Sequence, residues 1–490
     1  MSLPARLLLV TSNGAGMGHL TRLLSVALAA GDGATSTIMS LSVAMPVVTA
    51  HGVAGEYCPS SERRWMPEAM WHGYLRDRLV ALAHEVDADV MAFDGVAPYP
   101  GIVQARPLLR DVAYAWIRRG MWQPGVNAVQ LAKSGIFDLV IEPGDIARDA
   151  DRGPTAERSD AIVVPPITML DAVERLPRAE AAAHLGIDPD RPTVLVTLGS
   201  GRVGEVEAPG TVVVAALLED RDWQLCVTRA AIANKAVPLV DRDRVVELHG
   251  VYPLARYLAA FDAAVSAAGY NAVHELLPAG VPTLLLPNPA TRTDDQVARA
   301  LWLDDQRLAL AALPHASADL VAAARRLSDV GLREDLSAAC ASLPATARSG
   351  GSSATADLLV DMARGFVPAK VPFLERRRRF ARAGRETAKE LLGPRGTDAV
   401  RRLLGRQPVG GLPGRLEVEL VTGSDRLASV VDGRTPLFMT DAVPDELIHS
   451  GPVVEHLLAG SSAGYRAERL RIATVYYDVA GSARLPGPLS

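Results

Sequence analysis

Residues 266–296 read SAAGYNAVHELLPAGVPTLLLPNPATRTDDQ, from Ser266 to Gln296. An apolar run, Ala259 to Ala264, leads into this stretch as a strand or buried element, and the chain turns at Ala268-Gly269. Tyr270 to Leu277 has helical character, and Pro278, Gly280 and Pro282 stop it. Thr283 to Leu286 is short, apolar and flanked by prolines, as a buried parallel strand is. A polar loop then ends at Asp295-Gln296. Strand, glycine turn, helix, strand and loop in this order make a βαβ unit and point to an α/β fold.

Such a unit has a chemical use. Gly269 lets a ligand approach the backbone, and the amides that open the helix present partial positive charge to it. A diphosphate fits there without a metal. Glu275, about one and a half turns on, can accept hydrogen bonds from ribose hydroxyls, and Asp295 and Gln296 can do so for sugar hydroxyls. The plainer alternative is an ordinary βαβ unit with polar surface residues.

The order G-Y-N-x-x-x-E, then G-V-P, P and D-Q resembles the nucleotide-sugar signature of GT-B glycosyltransferases, both the plant-type (family 1) box and the MurG-type (family 28) enzymes. The resemblance implies that Glu275 holds the ribose, that Asp295 and Gln296 hold the donor sugar, and that Tyr270 and Asn271 sit by the diphosphate. Two positions depart from the plant-type box: Ala267 replaces a phosphate-binding histidine and Ala272 a serine.

The N-terminal segment ARLLLVTSNGAGMGHLTRLLSVALAAG is a strand, a glycine-rich loop and an amphipathic helix ending at Gly31. Gly14-x-Gly16-x-Gly18 invites a dinucleotide reading. That fingerprint wants its third glycine where His19 stands, and an acidic residue near the end of the next strand, where Ser40-Leu41-Ser42 lies. A nicotinamide or flavin oxidoreductase is therefore the poorer fit. The loop is similar instead to the GGTGGH loop of MurG-type enzymes, which assigns Gly16 and Gly18 to the donor side. At a helix start His19 stays neutral, as a general base must. In plant-type enzymes the matching histidine deprotonates the acceptor; a histidine that only hydrogen-bonds the helix start is the alternative. Asp94 ends the strand in VDADVMAFDG, on the same carboxyl edge of a parallel sheet. It either orients His19, as the resemblance suggests, or caps a turn.

Trp65, Trp71 and Tyr74 form an aromatic cluster that suits an acceptor wall or domain packing equally. In AYAWIRRGMWQPG, Arg118 and Arg119, with Trp122, suit an anionic acceptor or a solvated turn. Arg191-Pro192 opens TVLVTLGSG, a second strand-and-loop like the first. By resemblance, Ser200 and Gly201 offer amides to the donor phosphates there, and Val251 stands where a backbone reads uracil.

At 490 residues the chain has room for two large domains and a smaller third. Mean hydropathy is +0.13, so substantial cores are expected. A net charge of −5 gives no sign of nucleic-acid binding. Three scattered cysteines, Cys58, Cys226 and Cys340, fit a reducing compartment and exclude a clustered cysteine metal site. No signal peptide or membrane span is read. Gly33 to Gly55, the longest uncharged stretch, suits a strand, a turn and a buried helix, so a cytoplasmic chain is expected.

The resulting division is an acceptor-binding Rossmann-like domain (1–165), a nucleotide-sugar-binding one (166–365) facing it across a cleft, a basic helical linker (366–410) and a small α+β module (411–490). The stretch 366–407 carries 12 Lys or Arg against 4 Asp or Glu. Its span 370–406 suits peripheral contact with an anionic membrane at the inner face, or a solvated linker helix. The module is read from strand-like LEVELV, ASVVDG and LRIATVYYDV and a helical Val453–Leu458.

The expected activity is inverting, metal-independent transfer of a sugar from a UDP-sugar, UDP-N-acetylglucosamine among them, to an acceptor hydroxyl on a small molecule, lipid or saccharide, with no cofactor. Two other readings stay open. One is a sugar-nucleotide 2-epimerase, and the other a silent nucleotide-sugar-binding protein, for which Ala267 and Ala272 are the warning.

Overall fold

The structure is a computed structural model. It describes residues 3–12, 17–42, 44–61, 68–199, 207–229, 243–315 and 317–367, and four short strands beyond residue 416. The glycine loop through Gly16, Trp65, Ser200, Gly201, the basic stretch 370–406, ASVVDG and Val453–Leu458 lie outside the described residues.

The strands before residue 165 are β1 (Ala5–Thr11), β2 (Ala34–Ser40), β3 (Ala54–Tyr57), β4 (Val90–Asp94), β5 (Ala113–Ile117), β6 (Leu139–Pro143) and β7 (Ile162–Val164). After it come β8 (Thr193–Thr197), β9 (Gln224–Arg229), β10 (Val245–His249), β11 (Ala263–Ala267), β12 (Thr283–Leu286) and β13 (Leu310–Ala311).

The chain divides into two compact units. The first comprises Met1–Ser36, Ala92–Pro98 and Tyr114–Arg364, and the second Thr37–Met91, Tyr99–Ala113 and the chain from Gly365. The first unit holds two sheets. One runs β1-β4-β5-β6-β7, and the other β10-β9-β8-β11-β12-β13 with every pair parallel. In the second sheet both faces are apolar, as a parallel sheet covered by helices requires. Val194, Val196, Val265, Leu284 and Leu286 enter one buried cluster. Their alternate neighbours Leu195 and Ala264 enter a second, and Leu285 a third. Both sheets therefore present strand carboxyl ends, where α/β folds place their ligands.

In the second unit β2 and β3 pair in parallel, and the helix Glu68–Glu85 is fastened by a buried charge cluster. Arg78 reaches Glu56 there, and Glu85 at 3.0 Å.

The deciding stretch folds as read, with the helix at Tyr270–Leu276 and β12 at Thr283–Leu286. The run 259–264 is divided between two elements: it closes a 3-10 helix, Leu254–Ala260, whose Ala255, Leu258 and Ala260 are buried, and it opens β11 at Ala263. Within 33–55 the short helix Pro46–Thr49 follows β2, but β3 was unforeseen. In the C-terminal region LEVELV overlaps the strand Glu417–Thr422, paired in parallel with Arg434–Met439, and LRIATVYYDV contains Val475–Tyr477. Among the described residues no helix is long and apolar enough to cross a membrane.

Candidate active site

β1 and β4 run side by side and end together, where Ser12 donates its amide to the Asp94 carbonyl at 2.9 Å. The chain leaving β1 starts the helix Gly18–Ala30, whose second residue is His19, and Asp94 is the last residue of β4. The two side chains meet, His19 Nδ1 lying 2.6 Å from Asp94 Oδ1. Arg22, three residues on and so on the same helix face, closes the group. Its Nε donates to Asp94 Oδ2 at 2.8 Å and its Nη2 to Oδ1 at 2.6 Å. That Nη2 also stands 2.7 Å from His19 Nδ1.

These contacts set the charges. Burial alone pushes Asp94 up, but Arg22 and then His19 outweigh it and hold the carboxyl below its ordinary range. Burial also pushes His19 down; Asp94 opposes this, and Arg22 and Arg119 add to it. The imidazole is thus neutral at pH 7. With an ionised Asp94 accepting at Nδ1, the proton is assigned to that nitrogen and Nε2 is left as a base.

His19 and Asp94 border a small polar cavity together with Arg119, Trp122, Thr293 and Asp294. The last four come from two loops joined edge to edge. Gln123 donates its amide to the Thr293 carbonyl at 2.7 Å, Asp295 donates its amide to Met121 at 2.8 Å, and Trp122 bridges Asp294. Gly153 packs against the other side of this loop, close enough that a Cβ there would strike the Trp122 carbonyl. Behind the cavity Arg299, fully buried, donates to Asp294 at 2.8 Å and to Asp145 at 2.9 Å. Burial raises Asp294, but Arg299 and Arg119 outweigh it and bring it to about 2.

The second sheet reaches the same histidine helix through Asn271. Its Nδ2 donates to the Gly18 carbonyl at 3.2 Å, and its Oδ1 accepts from Arg22 at 3.2 Å. Gly269 leaves its backbone approachable, since a Cβ there meets nothing nearer than Gln296 Nε2 at 3.9 Å. Glu275 is half-buried, accepts from the Met169 amide at 3.4 Å, and is pushed by burial up to about 7. Gln296 accepts from the Asn288 amide at 3.1 Å. Val251 follows β10 and is half-buried.

Several expected residues have other employment. Tyr270 is buried, with its hydroxyl donating to Gly144 at 3.0 Å and accepting from Ile167 at 3.2 Å, so its side chain fastens loops. Asp295 caps the helix Gln296–Asp305 by accepting from the Ala298 amide at 3.0 Å; its neighbour Asp294 is the carboxylate in the cavity. Trp71 is fully buried, with its indole donating to the Pro59 carbonyl at 2.7 Å, which is domain packing and not an exposed acceptor wall. Arg118 is also fully buried and is neutralised by Asp160 at 3.1 Å and Glu142 at 3.4 Å, so only its neighbour Arg119 faces the cavity. Arg22, Asp294 and Arg299 were missed. The three-residue spacing from His19 was a signal for Arg22, and the doubled Asp294-Asp295 was one for Asp294.

No protein-family model matches the chain. It is 37% identical over 121 residues to a UDP-N-acetylglucosamine–N-acetylmuramyl-(pentapeptide) pyrophosphoryl-undecaprenol N-acetylglucosamine transferase of Clavibacter michiganensis subsp. michiganensis. The match covers 24% of this chain and 32% of that protein, so the chain spans about a third of the length of the curated relatives it matches. Among solved structures, the spinosyn forosaminyltransferase SpnP superposes with a TM-score of 0.53 at 17% identity, over 74% of this chain and 99% of that one. A crystal structure described as a UDP-N-acetylglucosamine 2-epimerase of Listeria monocytogenes superposes equally, at 0.53 and 12% identity, over 74% and 97%. With its two parallel sheets and these superpositions, the chain has the GT-B fold.

Proposed function

We propose that the chain is an inverting glycosyltransferase that moves a sugar from a UDP-sugar to an acceptor hydroxyl. The observation that carries this reading is the neutral, carboxylate-held His19 beside a cavity in a GT-B fold. His19 Nε2 takes the proton of the acceptor hydroxyl as its oxygen bonds to the anomeric carbon. The bond from that carbon to the diphosphate oxygen breaks, and its electron pair leaves with UDP. The barrier passes through an oxocarbenium-like state, so catalysis rests on activating the acceptor and receiving the leaving group. Residues 1–165 carry the base and receive the acceptor. Residues 166–365 take the donor, with Glu275 on the ribose, Val251 at the base and Gln296 on the sugar. Neither a cofactor nor a metal is required.

A thermal-shift screen against UDP-, TDP- and GDP-sugars, followed by UDP release across an acceptor panel, tests this. Stabilisation by UDP species and acceptor-dependent release are expected, with UDP-N-acetylglucosamine the first donor to try. Isomerised sugar nucleotide from donor alone would establish the epimerase instead. UDP binding with no turnover on any acceptor would establish a silent binder. Unchanged rates after dialysis against EDTA are expected.

A further inference from the structure

Arg119 is the first residue after Arg118 at the carboxyl end of β5, and the two part company. Arg118 turns inward to its carboxylates, whereas Arg119 borders the cavity that holds His19. Among the described residues its one hydrogen-bonding partner is Asp294, at 3.4 Å. That contact is long for a charge-assisted bond. Asp294 Oδ1 is already engaged at 2.8 Å by Arg299. The other carboxylate in the cavity, Asp94, is filled by Arg22 and His19. Most of the Arg119 fork therefore has no acceptor among the described residues.

The guanidinium is nevertheless held in place. It lies over the Tyr270 ring with its central carbon 5.4 Å from the centroid, and Arg22 lies over the same ring, also at 5.4 Å. Tyr270 is itself pinned through its hydroxyl to Gly144 and Ile167. A planar cation fixed by its face, with most of its N–H edge unengaged by the described residues beside a cavity, is prepared for a two-oxygen anion.

We propose that Arg119 is an oxyanion-binding residue that receives an anionic group of a substrate beside His19. The ligand class is a phosphate or carboxylate, borne either by the donor as its diphosphate or by the acceptor as an acid near the reacting hydroxyl. Burial and the nearby Arg22 and Arg299 press the Arg119 pKa down while Asp294 raises it, and a bound oxyanion relieves that repulsion. The proposal rests on the transferase reading only for the source of the anion.

Calorimetric titration of the full chain tests it, using wild type, Arg119→Met and Arg119→Lys, with thermal melts as the folding check. One arm titrates UDP and uridine. The other titrates inorganic phosphate into free protein and into protein saturated with UDP. Wild type is expected to bind phosphate or UDP, the methionine variant to lose about tenfold or more, and the lysine variant to fall between, since it keeps the charge without the fork. Loss for UDP with uridine unchanged assigns the donor diphosphate; loss only for phosphate with UDP present assigns an acid on the acceptor. Wild type that binds phosphate but not UDP sinks the UDP-donor reading and leaves Arg119 standing. Equal affinities in wild type and Arg119→Met for every probe, or no binding of any by wild type, overturns the proposal. Should Arg119→Met not fold, a lysine variant with wild-type affinities overturns it equally.

Discussion

Arg22 holds Asp94 by both carboxylate oxygens, at 2.8 and 2.6 Å, and brings the same Nη2 within 2.7 Å of His19 Nδ1. Asp94, as acceptor, holds the proton on Nδ1 beside the neighbouring Arg22 donor and so keeps Nε2 as the base. Arg22→Lys keeps the cation and loses the fork; Arg22→Met removes both. Arg22 is one of the charges that press the His19 pKa below 6.5, after burial. Its removal also leaves Asp94 free to raise that pKa. The acid limb of kcat/KM, where rate falls as His19 gains its proton, should therefore move to higher pH in Arg22→Met. A wild-type limb in that variant would remove Arg22 from control of the base. Stability should fall too, by about 3–5 kcal/mol, because a buried carboxylate loses its cation.

His19→Ala should lower turnover by about 10²-fold or more, with UDP affinity little changed, since the histidine meets the acceptor. Asp94→Asn should act on the same step. It removes the charge that opposes burial at His19, so the residual activity should show its acid limb at lower pH than wild type. Turnover by His19→Ala at the wild-type rate would exclude the proposed base.

The strands and glycine turns of the fold were legible because parallel strands buried on both faces leave short apolar runs between prolines and glycines, as at Thr283–Leu286. The pairing of His19 with Asp94 was legible because the loop after β1 leads to His19 and β4 ends at Asp94, both on one sheet edge. What the sequence hid was allocation. Tyr270, Asp295, Trp71 and Arg118 have the chemistry of ligand-binding residues, yet folding uses their polar atoms internally. Their neighbours Asp294 and Arg119 face the cavity instead. One position along a loop reverses which side chain is spent on structure, and periodicity has no power to resolve that where no regular element fixes the phase.

Glu275 should make donor binding pH-dependent. Burial lifts its carboxyl to about 7, so it is half-protonated near neutrality. Only the ionised form offers all its lone pairs to ribose hydroxyls. UDP affinity should therefore weaken as pH falls through about 7 and recover above it. Glu275→Gln, which has no titrating proton there, should bind more weakly at pH 8 and show a flat profile. The same slope in the glutamine variant would assign the titration elsewhere.

Trp71 separates packing from recognition. Its ring is wholly covered, lies edge-on to Tyr99 with centroids 5.3 Å apart, and spends its one donor on the Pro59 carbonyl. Truncation to alanine opens a cavity in the second unit and should lower stability by about 3–5 kcal/mol. Trp71→Phe keeps much of the volume but leaves the Pro59 carbonyl without its donor, a loss of about 1–3 kcal/mol. Denaturant midpoints should fall in the order wild type, phenylalanine, alanine. Under conditions where each variant stays folded, the KM for the acceptor should be that of wild type. A raised acceptor KM with unchanged midpoints would mean that the indole meets substrate after all, through a face the folded chain keeps covered.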